Sequence, residues 1–225
     1  MRELSVRPHV LPLIYLKGAD GLWYRFSGQT LAGPQDRPAY VFVNGLTQYA
    51  ALWTDYHDTL VARQFRVATF DLLGQGDSDK PSLFIRQDDQ VAALHLLIEQ
   101  LVDGPVFLSG ISFGGLIALR YAIAHGDKLA GLVPMSCFAE LSPQLLLLGN
   151  AMRTGLILGG TSYLQDLLLP MNLSDSWLKP LVKNLDAVKR QGWLINDVYA
   201  LQNLMESFLD FEPPTPQLWR SGYRR

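Results

Sequence analysis

V-F-L-S-G-I-S-F-G-G, Val106–Gly115, contains Gly110-Ile111-Ser112-Phe113-Gly114, a G-x-S-x-G match. The five letters alone are weak, because small residues co-occur by chance. Their setting strengthens them. The apolar run Val106, Phe107, Leu108 leads in, and the helix-compatible run Leu116 to Ala124 leads out. That pattern is strand, sharp turn, helix. A serine in such a turn takes a strained backbone conformation, and its neighbours must be small for strand and helix to approach. Gly110 and Gly114 meet that need, and the Ser112 hydroxyl is lifted above the sheet with helix N-terminal N–H groups behind it. A glycine-rich strand–helix turn with an ordinary serine would have the same letters.

Upstream, Leu11–Leu16 and Leu22–Phe26 flank the turn 17–21 and predict an antiparallel hairpin. Residues 29–38 read as a polar loop. Ala39–Val43 and Arg66–Phe70 are short apolar runs typical of strands covered on both faces. Between them, 53–64 reads as a helix. Asp88 or Asp89 is a candidate cap for the next helix, whose stripe Val91, Leu94, His95, Ile98, Leu101 follows one helical face. Downstream, Gly131–Met135 is a further buried strand. Alternating strands and helices with short loops imply a doubly wound, mostly parallel α/β sheet, preceded by the hairpin. Ligands in such sheets sit beyond the carboxyl ends of the strands. The loops Asn44–Thr47, Asp71–Ser78, Ser112–Gly114 and Ser136–Glu140 all fall at that edge. After Glu140 the alternation stops. The leucine-rich region up to Leu209 is broken by Gly149, Gly155, Gly159, Gly160, Pro170, Pro180 and Gly192, and reads as several short helices. The last runs from about Asp197 to Leu209, with Val198, Leu201, Met205 and Phe208 on one face. The expected organisation is an α/β core over 1–140, a helical cap over 141–210 and an irregular tail over 211–225. The helical region is either a packed stabilising layer or a lid lined by Leu, Met and Trp that binds an apolar substrate.

Composition narrows the function. The chain is 48% apolar, enough for a sizeable core, and its formal charge is −2. That balance offers no electrostatic footprint for nucleic acid or a polybasic membrane patch. One cysteine, Cys137, forms no internal disulfide, and a cytoplasmic location is the default. No His/Cys spacing suggests a metal, and no cofactor is expected. No apolar run reaches the ~18 residues of a membrane span; Leu145–Leu158 is interrupted by Asn150 and Arg153.

With these residues in place, the chain resembles the α/β-hydrolase superfamily, of the capped serine hydrolase and esterase type. The resemblance rests on Asn44-Gly45, on Asp71-x-x-Gly74-x-Gly76-x-Ser78, and on Gly110-x-Ser112-x-Gly114-Gly115, in order and at family-like spacing. It covers most of Leu11–Glu140. It implies that Ser112 is the catalytic nucleophile and that the backbone N–H groups of Leu46 and Phe113 form the oxyanion hole. Two fixed donors there would stabilise developing charge on a carbonyl oxygen, by about 3–4 kcal/mol each in the transition state. The substrate implied is a small apolar ester or related acyl compound. Where many members carry His-Gly, this chain has Asn44-Gly45, as does a subset resembling acyl-transferring enzymes of hydroxyacid-lipid synthesis.

A serine also needs a base, usually histidine held by a carboxylate. The family places these after later strands, whereas this chain continues past Leu209 with Pro213, Pro214 and Pro216, which no central strand tolerates. His125 ends the helix that begins near Ser112, roughly 20 Å away at 1.5 Å per residue. His95 is expected to pack against the sheet, His57 lies within a helix, and His9 precedes the hairpin. Glu140 is a candidate relocated acid. Asp71 is expected to hold its own turn. The pattern suggests truncation or a changed reading frame near Pro214, an exposed sheet edge at Gly131–Met135, and association between copies through it. Three functions compete: hydrolysis of carboxylic esters, acyl transfer on the same fold, and ligand binding without catalysis.

Overall fold

The computed structural model describes residues 14–17, 23–26, 30–82, 85–208 and 211–214. β1 (Ile14–Lys17) and β2 (Trp23–Phe26) pair antiparallel as a separate two-stranded ribbon, which is the expected hairpin. Its turn, His9 and residues 215–225 of the expected irregular tail lie outside the described residues.

Among the described residues the main sheet has five strands: β3 (Thr30–Ala32), β4 (Ala39–Val43), β5 (Arg66–Thr69), β6 (Val106–Ile111) and β7 (Leu129–Met135). Their order is β3-β5-β4-β6-β7. All neighbours are parallel except β3 and β5. The β3 strand corrects the reading of 29–38 as a plain loop. A three-residue strand is too short to show alternation, and it exists because it can pair with Val67–Thr69 at the sheet edge.

Alternation along β4 supplies both faces. Val41 and Val43 enter the larger core with α2 (Gln87–Leu101) and α3 (Phe113–His125). Phe42 enters a smaller cluster with Trp53 and Val67, against which Leu60 and Val61 of α1 (Thr54–Ala62) pack. The N-cap of α2 is Arg86 rather than Asp88 or Asp89; Asp89 instead reaches back from the third position to accept the Arg86 N–H at 2.9 Å. His95 does not face the sheet. It sits at the α2–α3 seam with its ring stacked on His125, centroids 3.8 Å apart, while Val91, Leu94, Leu97, Ile98 and Leu101 take the buried face.

After β7 come α4 (Pro143–Asn172), α5 (Asp175–Val182), α6 (Leu185–Ile195) and α7 (Val198–Glu206). The expected series of short helices holds for α5, α6 and α7, and α4 is two helical segments meeting at the expected Gly159-Gly160 break, whereas Gly149, Gly155 and Pro170 do not interrupt them. Only Gly160 departs, at φ 63° and ψ −163°, and there α4 kinks. Ser142 caps its start by accepting the Leu145 N–H, followed by Pro143 at the first turn. Leu156, Leu164, Leu201, Leu204 and Met205 join the core of the sheet, so the helical layer and the sheet share one apolar interior. Gln87 and Asn203 add hydrogen bonds across that junction, to the carbonyls of Ser207 and Pro81.

Candidate active site

The chain runs from β4 outward to β5, then returns to the other side of β4 to form β6. That reversal leaves a crevice beyond the carboxyl ends of β4 and β6, where open α/β sheets bind ligands. Val43 and Gly110 are register partners at those ends, so the loop after β4 and the turn after β6 face each other.

Ser112 occupies the turn. It is exposed, at φ 52° and ψ −116°, and its N–H donates to the Met135 carbonyl of β7 at 2.9 Å. Phe113 opens α3, so its N–H has no intrahelical acceptor. Crowding around the turn explains the glycines. A Cβ at Gly110 would run into the Gly114 carbonyl, and one at Gly114 into the carbonyls of Val43 and Asn44. These are backbone neighbours that cannot swing aside.

Leu46 sits opposite, in a loop braced by buried polar groups. Asn44 is fully buried; its Nδ2 donates to the Phe70 carbonyl at 2.9 Å, and its Oδ1 accepts from Trp53 Nε1 at 2.6 Å. Gly45 N–H donates to Gln48 Oε1, Gln75 Nε2 donates to the Gly45 carbonyl, and Asn196 Nδ2 donates to the Thr47 carbonyl. Asp71 holds its own turn, as expected, by accepting the Asp77 N–H, and reaches further to accept the Ala50 N–H. Burial pushes its carboxyl above the usual range, against the pull of those two backbone donors. Asn44 thus ties the ends of β4 and β5 to the Leu46 loop.

Leu46, Ser112 and Phe113 line one cavity of about 240 Å³. Its walls come from the helical layer as well: Leu145, Leu148 and Met152 of α4, Leu168 beyond the kink, and Met205 and Phe208 at α7. Ser136, Asn150, Arg153 and Asn172 are the other polar or charged lining residues. Glu140 is exposed and does not line the cavity. Among the described residues no histidine lines it either. His57 is in a separate pocket, bonded through Nδ1 to Asp58 at 2.9 Å, and His125 is at the far end of α3. Among the described residues no cluster of three His, Cys, Asp or Glu side chains could hold a metal. Sequence reasoning missed Ser136, which has φ 44°, and Arg153. No motif marks Ser136. Arg153 was visible only as the one cation within Leu145–Leu158.

Parallel sheet, glycine-flanked serine turn and helical layer define an α/β hydrolase. The chain belongs to the serine aminopeptidase S33 family, whose model matches residues 34–198. It is 32% identical over 121 residues to the lipase LipV of Mycobacterium tuberculosis, a match covering 54% of this chain and 43% of that protein. Thus the chain spans less than half the length of that curated relative. Among solved structures, a thermophilic esterase from Thermogutta terrifontis superposes with a TM-score of 0.77 at 19% identity, covering 91% of this chain and 75% of the other. The enol-lactonase from Burkholderia xenovorans LB400 gives 0.74 at 19% identity, covering 91% and 76%. These last two likenesses are of fold.

Proposed function

We propose that this hydrolase acts on carboxylic esters or related apolar acyl compounds, with Ser112 as nucleophile, Leu46 and Phe113 N–H groups as the oxyanion hole, and residues 141–210 as the cap. The observation that carries this reading is the strained, exposed serine opening into an apolar cavity shared with both proposed donors. In the reaction, Ser112 Oγ would bond to the substrate carbonyl carbon, its proton passing through solvent water to the leaving oxygen, and a second water would then release the acid from the acyl-serine. The carbonyl oxygen, then negative, would sit against the two N–H groups until the alcohol leaves. The name of LipV, a lipase, supports the substrate class.

A second reading has its own observation. The cavity lining holds neither histidine nor carboxylate, so among the described residues no base reaches Ser112. On that reading the cavity binds an acyl ligand and turns none over. Hydrolysis of p-nitrophenyl octanoate separates the two. The first reading expects release of p-nitrophenol that disappears in Ser112→Ala. Binding of octanoyl compounds without release, equal in wild type and Ser112→Ala, would overturn it in favour of the second.

A further inference from the structure

We propose that the Ser112 cavity selects amphiphilic acyl compounds bearing an anionic group, carboxylate or phosphate, and that Arg153 is the residue that pairs with the anion. The inference deepens the function proposed above and rests on the same cavity.

Arg153 lies on α4 before the Gly160 kink and lines the cavity together with Ser112. Its Nε is buried and has no hydrogen-bond partner. None of the ion pairs among the described residues involves it. Arg120 also leaves its Nε without a partner, but the other cations set back from solvent keep at least one partner elsewhere on the side chain. Arg120 pairs with Asp88 and donates to the Glu212 carbonyl, and Lys189 pairs with Asp166. Arg66 donates to the carbonyls of Gln35 and Leu101. Arg153 is thus a cation facing a cavity whose wall, among the described residues, contains no carboxylate and whose other polar groups there, Ser112, Ser136, Asn150 and Asn172, are neutral.

A guanidinium stays charged at every relevant pH and presents a planar fork of N–H donors. Leaving such a charge partly desolvated and unpaired costs free energy, which an entering anion recovers through charge-assisted hydrogen bonds. Carboxylate and phosphate both offer paired oxygens to that fork. The leucine and methionine side chains around Arg153 take the hydrocarbon part. A neutral alcohol or simple alkyl ester would use the apolar wall and leave the guanidinium unpaired.

The test is calorimetric titration of octanoate, octyl phosphate and 1-octanol into the full chain. Wild type should bind at least one of the anions about tenfold or more tighter than octanol, with the tighter anion identifying carboxylate or phosphate as the group recognised. Arg153→Met should abolish that preference while still binding octanol; Arg153→Lys should retain part of it, which controls for misfolding. Equal binding of all three ligands, no binding of any, or an anion preference surviving in Arg153→Met would overturn the proposal. Ser112→Ala should keep the preference intact. If turnover fails while anion-selective binding persists, the nucleophile assignment falls and the role of Arg153 stands.

Discussion

Ser112 is held at φ 52° and ψ −116°, a conformation that L side chains adopt only under constraint. Glycine meets no such penalty. Ser112→Gly should therefore raise unfolding stability by about 1 kcal/mol while removing any activity, a trade of stability for chemistry. Urea denaturation reads it; unchanged or lowered stability would mean that the turn is not strained. Asn44 makes the opposite prediction. It accepts from Trp53 and donates to Phe70 in a fully buried setting, so Asn44→Ala leaves the indole N–H and a carbonyl unpaired. The expected cost is about 2–4 kcal/mol by the same measurement. This residue also marks a limit of sequence reading. The Asn-Gly pair was legible as a motif, but its bracing role depends on three elements far apart in sequence.

At the scale of elements, α4 and the α2–α3 seam carry the consequences. Gly160 sits at φ 63° and ψ −163°, a region closed to residues with a Cβ, although no atom lies near where a Cβ would be. Gly160→Ala should cost about 1–3 kcal/mol through backbone strain alone, seen as a lowered urea midpoint. A neutral result would show that the kink straightens freely. At the seam, burial first and His95 second hold His125 below the ordinary imidazole value, against the pull of Asp127 and Glu99. The folded state thus binds that proton more weakly than the unfolded chain does. The resulting stability is present above about pH 6.5 and lost as pH falls through the lower folded-state value. Wild type should lose stability more steeply than His125→Gln on titration below about pH 6.5; parallel curves would refute the coupling. Strands β4, β5 and β6 were legible because buried parallel strands are continuous apolar runs; β7 is a strand as expected but not the buried one its apolar run suggested, because it has a neighbour on one side only among the described strands and its residues are half-buried or exposed. β3 was not, being three residues long. The break at Gly159-Gly160 was legible, but Gly149 and Gly155 read as breaks with the same letters and are not, because a glycine interrupts a helix only where the backbone leaves helical geometry, as it does at Gly160.

For the whole molecule, β7 has a neighbour on one side only among the described strands, with Val133 47% exposed. An open parallel edge offers unpaired N–H and C=O groups to another chain. Concentration-dependent association is the expected result in sedimentation velocity, and Val133→Lys should shift it toward monomer; a monomer at all concentrations would remove the edge from consideration. Among the described residues no helix is long and apolar enough to cross a membrane. The reading from sequence located Leu46, Ser112 and Phe113 at one sheet edge because each follows a strand of the same direction. It could not locate the cavity wall, which depends on how α4 and α7 fold back over that edge.

The most direct test of the central claim, that Ser112 is a nucleophile facing an acyl cavity, is intact-mass analysis after exposure to an alkyl fluorophosphonate. The account predicts addition of a single phosphonyl group, mapped to the peptide carrying Ser112 and absent in Ser112→Ala. No addition to the folded wild-type chain, or the same addition to Ser112→Ala, would contradict it.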